Sequence, residues 1–140
     1  MRYLLDTCVV SELVRQTPSE KVVKWVQARE ESSLFLSVLT FGELQKGIAK
    51  LADTKRRRLL EDWVNVDLSR RFTGRVLDVD LETAVRWGEI SGISEVRGVK
   101  VPVVDGLLAA TALSHGLTVV TRDTTHLRAA GVHVLDPWTL

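Results

Sequence analysis

The amino-acid sequence predicts an α/β fold in which a central parallel sheet of four to five short strands is flanked by helices. Two observations predict it. Apolar runs of four or five residues alternate along the chain with longer segments whose apolar residues recur at helical spacing, and this alternation is typical of parallel strands connected by helices. The chain has 140 residues, 45% of them hydrophobic, which suits one domain with its own core. We therefore predict a single domain over residues 1–140.

Five apolar runs are predicted to form the strands. In chain order they cover residues 3–6, 34–37, 76–79, 117–121 and 132–135. Helices are predicted between these runs. In chain order they cover residues 7–15, a segment that begins at Ser19, residues 39 or 40 to 52, residues 55–72, residues 80–96 and residues 105–116.

The helix bounds follow from capping residues and from apolar spacing. Ser19 and Asp80 are residue types that cap helix N-termini. The helix after the second strand has apolar residues at helical spacing, namely Phe41, Leu44, Ile48 and Leu51. A loop that contains Pro102 precedes Asp105, where we predict that an alanine-rich helix begins, and Gly116 is the residue type that commonly follows a helix C-terminus.

The net charge of +1, from 19 basic and 18 acidic residues, hides an uneven distribution. Residues 55–75 carry seven basic and three acidic side chains, whereas residues 76–140 carry five basic and eight acidic ones. A protein that binds nucleic acid mainly through bulk charge would be more basic. No run approaches the ~18 apolar residues of a membrane span, and the amino terminus lacks the features of a secretory signal, so we expect a cytoplasmic protein. The single cysteine, Cys8, agrees with a reducing compartment.

Four acidic residues fall where a parallel sheet places its ligands. Asp6 closes the first strand, Glu43 lies in the first turns of the helix after the second strand, and Asp105 opens a helix. Asp123 directly follows the fourth strand. Because ligands of open parallel sheets bind beyond the carboxyl ends of the strands, we expect these four carboxylates to converge. Taken singly, each could be only a cap or a solvated side chain.

Four neighbouring carboxylates repel one another unless a cation neutralises them. Mg²⁺ and Mn²⁺ prefer oxygen ligands, and Mg²⁺ usually keeps several waters, which leaves room for a substrate phosphate and an attacking water. The cluster therefore predicts a Mg²⁺ or Mn²⁺ site, and the chemistry that suits such a site best is phosphodiester hydrolysis.

Five segments of the chain resemble those of the PIN-domain nucleases, and more closely those of the VapC-type toxins of bacterial toxin–antitoxin modules, including the trafficking-associated subgroup. The segments are residues 4–7 (LLDT), 37–48 (SVLTFGELQKGI), 103–112 (VVDGLLAATA), 120–123 (VTRD) and 136–138 (DPW). They occur in the family's order and extend over essentially the whole chain.

The resemblance implies a three-layer PIN-like fold and a Mg²⁺- or Mn²⁺-dependent endoribonuclease that cuts RNA such as transfer or ribosomal RNA. It also implies inhibition by a cognate antitoxin, and family members often form homodimers. The positions that match Asp6, Glu43, Asp105 and Asp123 form the catalytic metal site in that family, and the hydroxyls of Thr7 and Thr121 are predicted to support it. The chain departs from the family at two places, where Cys8 replaces a common Asn or Ser and the pair His126-Leu127 replaces an acid followed by Phe.

Several basic residues are candidates for contact with RNA or with an antitoxin. They are Arg122, beside the predicted site, and the run Lys55, Arg56, Arg57 and Arg58, which could equally be a solvated helix face. An antitoxin groove is expected along the helix that begins at Ser19 and the helix that ends near residue 52, although both faces could instead be core. Of the three histidines, only His126 is expected near the acids, and their spacing does not predict a metal site.

Parts of the sequence also suit two other functions. A strand followed by Asp-Thr also begins some phosphatases, but those need a second Asp two residues later, where Cys8 stands, so an aspartyl-phosphate mechanism is disfavoured. A catalytically silent PIN-like module that binds RNA or assembles with partners stays open as the alternative.

Overall fold

The structure is a computed structural model that describes residues 1–140, and its centre is a five-stranded parallel sheet. The strands are β1 (Tyr3–Leu5), β2 (Leu34–Ser37), β3 (Val76–Leu77), β4 (Thr118–Val120) and β5 (Val134–Leu135). Their order across the sheet is β3-β2-β1-β4-β5, and every neighbouring pair is parallel. The predicted fold class is therefore confirmed, and β1 is the central strand.

The helices connect these strands. They are α1 (Thr7–Leu13), α2 (Glu20–Gln27), α3 (Val38–Ala49), α4 (Lys55–Asp62), α5 (Ser69–Arg71), α6 (Leu81–Val96), α7 (Val103–His115) and α8 (Thr124–Ala129). A six-residue π-helical segment, Trp63–Leu68, joins α4 to α5, so the predicted helix over residues 55–72 is one helical stretch with a wider turn inside it. None of the helices combines the length and the apolar composition that crossing a membrane requires.

Several elements are shorter than predicted, such as β3 and β5 with two residues each, and two helices differ in other ways. The alanine-rich helix α7 begins at Val103, with Pro102 in the N-cap position, so Asp105 lies in the first turn and does not open the helix. Proline suits this place because a helix N-terminus lacks partners for its first N–H groups. The short helix α8 was not predicted, since its six residues contain a single buried apolar side chain, Leu127.

Apolar clusters cover both faces of the sheet and produce three layers. Consecutive residues of a strand point to opposite faces, so Leu5 belongs to the cluster under α1 and α2, and Leu4 belongs to the cluster under α7 and α8. The side chains of Val22, Trp25 and Val26 on α2 are buried in the first cluster. The expectation that this face of α2 forms part of an antitoxin groove is therefore wrong, because the face is core.

The register of the sheet aligns the strand ends that matter for the site. Leu5 pairs with Val120, so Asp6 and Thr121 follow neighbouring strands at the same edge. The backbone N–H of Asp6 continues this ladder by donating to the carbonyl of Val120 at 2.9 Å. The carboxyl ends of the parallel strands thus share one edge. Asp6 and Asp123 follow β1 and β4 there, and Glu43 is on the helix after β2, whereas Asp105 is on α7, which follows α6.

Candidate active site

Asp6 is fixed at the end of the central strand by two hydrogen bonds. It caps α1, with Oδ1 accepting from the backbone N–H of Thr7 at 2.7 Å, and Oδ2 accepts from the hydroxyl of Thr121 at 2.8 Å. Burial raises the pKa of Asp6, the two hydrogen bonds oppose that shift, and the negative charges of Glu43 and Asp123 add to it. The carboxylate is therefore held in one orientation at an electrostatic cost.

Glu43 reaches the site from α3, whose N-terminus is capped by Ser37 at the end of β2. The hydroxyl of Thr7 donates to Glu43 Oε1 at 2.7 Å, and it lies 3.3 Å from the hydroxyl of Thr40. Thr7 thus bonds Asp6 through its backbone and Glu43 through its side chain. The supporting role that the family resemblance implies for Thr7 stays a prediction, and this contact gives it a structural basis.

Asp105 and Asp123 meet at His126. The ring atom Nδ1 of His126 lies 3.6 Å from Asp105 Oδ2 and 3.2 Å from Asp123 Oδ2. Asp123 occupies the N-cap position of α8, and its backbone N–H donates to the hydroxyl of Thr121 at 3.0 Å. One ligand atom from each of Asp105, Asp123 and His126 can be chosen so that all three lie within 4.8 Å of one another.

The four acids act on one another electrostatically. Burial raises the pKa of Asp105, followed by the negative charges of Asp123 and Asp6, while His126 lowers it and Glu43 adds a smaller increase. No lysine or arginine forms an ion pair with any of the four, and His126 is the single basic side chain in contact with them. Asp6 and Asp105, whose pKa values are raised in part by neighbouring carboxylates, fit a divalent cation, which would relieve the repulsion and bind oxygen donors.

Cys8 lies beside the acids as a packed thiol. Its Sγ is 3.9 Å from Asp6 Oδ2 and 3.6 Å from the hydroxyl of Thr121. Burial and the charge of Asp6 raise the pKa of this thiol, which opposes formation of a nucleophilic thiolate.

The predicted basic contacts do not gather at the acids. Arg57 pairs with Glu61 at 3.0 Å, and Arg58 lies 3.8 Å from Asp53. Arg122 is exposed, with its guanidinium carbon 4.2 Å from the ring centroid of Trp138. Lys55 is exposed on α4, and its neighbour Arg56 lines a groove that also contains Glu43.

Two depressions flank Glu43. The first, hereafter the apolar groove, is a cavity of about 310 Å³ between α1, α3 and the α4 stretch. Its wall combines Thr7 and Glu43 with apolar side chains and two arginines, including Leu44, Ile48, Leu60, Trp63, Arg15 and Arg56. The second, hereafter the lysine cleft, has a volume of about 530 Å³ and is lined by Glu43, Lys46, Lys50 and Val104.

Sequence reasoning missed Lys46 and Lys50, and it missed that His126 contacts two of the acids. The lysines were recognisable from their spacing, because residues three and seven positions after Glu43 lie on the same side of a helix. His126 follows Asp123 by three residues, but the spacing gains meaning only if a helix begins at Asp123.

A parallel sheet flanked by helices, with carboxylates from three neighbouring strand ends collected at one edge, defines a class of protein. The chain belongs to the PIN domain family, whose profile matches residues 3–132.

The relatives narrow this class further. The chain is 38% identical over 135 residues to toxin FitB of Neisseria gonorrhoeae, with 96% of this chain and 97% of FitB covered. It is 35% identical over 135 residues to the VapC ribonuclease Y4jK of Sinorhizobium fredii, with 96% of each covered. Its fold is similar to a chain in the crystal structure of FitAcB from Neisseria gonorrhoeae, with a TM-score of 0.93, 38% identity and 99% of each chain covered. The resemblance to VapC-type toxins is therefore confirmed.

Proposed function

We propose that the protein is a metal-dependent endoribonuclease that acts as the toxin of a toxin–antitoxin module. The observation that carries the proposal is the gathering of Asp6, Glu43, Asp105 and Asp123 with no lysine or arginine paired to them. The relatives named VapC ribonuclease and toxin FitB support the reaction and the biological role. The pairing of β1 with β4, which joins the two halves of the chain, supports the prediction of one domain over residues 1–140.

Asp6 and Asp105 are the proposed primary ligands of the ion, with Glu43 and Asp123 binding it directly or through water. A bound Mg²⁺ or Mn²⁺ supplies Lewis-acid activation of water and neutralises charge that develops on the scissile phosphate. Thr121 holds the carboxylate of Asp6 at 2.8 Å, and Thr7 holds that of Glu43 at 2.7 Å, so the acids are oriented before substrate binds. Attack by water leaves a 5′-phosphate and a 3′-hydroxyl, whereas a 2′,3′-cyclic phosphate would contradict this mechanism.

Lys46 and Lys50 are the proposed contacts for RNA phosphates. Both are exposed, neither has an acidic partner, and both line the lysine cleft beside Glu43. Phosphates bound there would bring an adjacent phosphodiester to the acids, and each contact would make binding weaker at high salt. Transfer or ribosomal RNA is the proposed substrate class, since the chain resembles toxins that cut structured RNA.

A cognate antitoxin is the proposed occupant of the apolar groove. Leu44, Ile48 and Leu60 offer an apolar surface to a helix or an extended segment, and Glu43 on the same wall would attract a basic side chain of that segment. Such a side chain would block the acids by neutralising them. We also propose that the toxin works in the cytoplasm as a homodimer, as its resemblance to the family implies.

The test is cleavage of total RNA by the purified protein with Mg²⁺ or Mn²⁺, with and without a chelator. Asp6→Asn and Asp105→Asn should abolish cleavage and keep the fold, and Asp62→Asn, which alters an exposed acid on α4, should cleave like the wild type. Sequencing the new RNA ends would identify the target and the end chemistry together. Ion binding without cleavage by the wild type would instead favour the alternative, a silent module that binds RNA or assembles with partners.

A further inference from the structure

His126 adds a nitrogen donor to a cluster that is otherwise composed of oxygen donors. Its Nδ1 lies 3.2 Å from Asp123 Oδ2 and 3.6 Å from Asp105 Oδ2. The two acids belong to different elements, since Asp105 is in the first turn of α7 and Asp123 precedes α8. His126 therefore joins two separately attached carboxylates at one point.

An ordinary structural role accounts less well for this placement. His126 is in the last turn of α8, where a histidine can interact with the final carbonyl groups of the helix. Its ring nitrogen makes its hydrogen-bonding contact with the carboxylate of Asp123 instead. With 43% of its side chain exposed, the residue also contributes little to the core.

The separations suit a shared ion. Metal bonds to carboxylate oxygen and imidazole nitrogen are about 2.0–2.2 Å long, so two atoms on one ion lie at most about 4.4 Å apart. One ligand atom each from Asp105, Asp123 and His126 lie within 4.8 Å of one another. Small side-chain rotations would bring all three atoms within bonding distance of one ion. Asp123 is exposed and His126 is half-buried, so both side chains have this freedom.

We propose that His126 is a nitrogen ligand of the ion, together with Asp105 and Asp123, and that it makes the site prefer first-row transition ions to Mg²⁺. The proposal rests on the metal-dependent function proposed above. Imidazole binds ions such as Co²⁺, Fe²⁺ and Zn²⁺ well, whereas Mg²⁺ is selective for oxygen and stays close to octahedral geometry. His126 is then a determinant of ion preference, and the all-carboxylate part of the site is sufficient for Mg²⁺.

The experiment measures ion binding directly. Metal-free protein is titrated calorimetrically with Co²⁺ and with Mg²⁺ at pH 8, because a ligand histidine must be neutral to bind. His126→Phe keeps a ring and removes the donor, so the preference for Co²⁺ over Mg²⁺ should fall about tenfold or more. His126→Asp replaces nitrogen by oxygen, so this preference should fall as well while Mg²⁺ binding is retained. His133→Phe is the matched control, since His133 is exposed directly before β5 and the substitution should leave both affinities unchanged.

The visible absorption of bound Co²⁺ provides a second readout, because it depends on the donor atoms and should change in both His126 variants. An unaltered Co²⁺ to Mg²⁺ preference in both His126 variants, with an unaltered spectrum, would overturn the assignment. If Asp105→Asn abolishes binding while His126→Phe has no effect, this inference fails and the proposed function stands. If the wild type binds neither ion, both fail.

Discussion

Thr121 is the buried hydroxyl on which the geometry of the acids depends most. It has no exposed surface, donates to Asp6 Oδ2 at 2.8 Å and accepts from the backbone N–H of Asp123 at 3.0 Å. Thr121→Val preserves the shape and removes both hydrogen bonds. A bond to a charged group contributes about 1.5–3 kcal/mol and a neutral one about 0.5–1.5, so the metal-free protein should lose roughly 2–4 kcal/mol of unfolding free energy. For a chain of this size that corresponds to a Tm lower by roughly 5–15 °C.

The same substitution should change the pH dependence of ion binding and of cleavage. The hydroxyl of Thr121 lowers the pKa of Asp6, opposing the increase caused by burial. Its removal therefore raises the pKa of Asp6 further, and a higher pH is needed to ionise this carboxylate, which is a proposed ligand of the ion. The acid limb of both profiles should move to higher pH. The free energy of unfolding without metal should also fall by more than in the wild type as pH rises through the pKa of Asp6, because a raised folded-state pKa favours the protonated protein.

Thermal denaturation with a chelator measures the stability of the metal-free protein. Mg²⁺ titrations at a series of pH values measure the pH at which the acid limb of ion binding falls. Thr111→Val is the matched control, because Thr111 is also fully buried and its hydroxyl donates to the carbonyl of Leu107 at 2.8 Å within α7 and not to any of the four acids. It should change stability without moving the limb. If the acid limb of Thr121→Val lies at the same pH as those of the wild type and Thr111→Val, the hydroxyl of Thr121 does not lower the pKa of Asp6 and the reasoning is refuted.

Three further substitutions test other parts of the structure. Asp105→Asn should raise the Tm of the metal-free protein at neutral pH, because burial and negative neighbours raise the pKa of Asp105. The gain in Tm should vanish as pH falls below this pKa. Equal Tm values of variant and wild type at neutral pH would contradict the prediction. Glu12→Ala should lower the free energy of unfolding by about 1–3 kcal/mol, because the buried carboxylate of Glu12 accepts from the backbone N–H of Ser19, before α2, at 2.9 Å. The pKa of Glu12 is lowered mainly by that bond. In chemical denaturation, the difference in unfolding free energy between variant and wild type should therefore disappear as pH falls through the pKa of Glu12. A difference that persists in acid would contradict this prediction. Gly106→Ala should lower the free energy of unfolding by about 1–3 kcal/mol in the same assay, because a Cβ at this position would lie 3.0 Å from Trp87 Cδ1. Gly92→Ala is the control, since its Cβ meets open space and should not destabilise the protein. Equal effects of the two substitutions would refute the packing argument.

Much of the fold was predictable because local signals agreed with the final packing. The second strand, residues 34–37, has the predicted bounds, and Asp80 caps α6 through the N–H of Thr83. Gly116 ends α7 in the left-handed conformation, with φ of 64°. These positions are determined by residues within a few places along the chain.

The parts that failed depend on contacts between distant segments. The apolar side of α2 is the same in sequence whether it covers a core or a partner, and only its packing in the folded protein, such as that of Trp25 against Tyr3, shows that it is core. Part of the site was predictable, because parallel strands place their carboxyl ends at the same edge of a sheet. This rule predicts that Asp6 and Asp123 lie close together. His126 required knowledge of α8, and its contact with Asp105 required the position of α7 relative to α8.

The strand order has a consequence for the synthesis of the protein. Asp6 and Glu43 precede residue 50, whereas Asp105 and Asp123 come only after residue 100, and β4 lies directly beside β1 in the finished sheet. A nascent chain therefore carries half of the acids and a central strand with one unpaired edge until its last quarter leaves the ribosome. A break in the loop between α6 and α7 would likewise separate Asp6 and Glu43 from Asp105 and Asp123, and only the reunion of the two pieces would complete the proposed site.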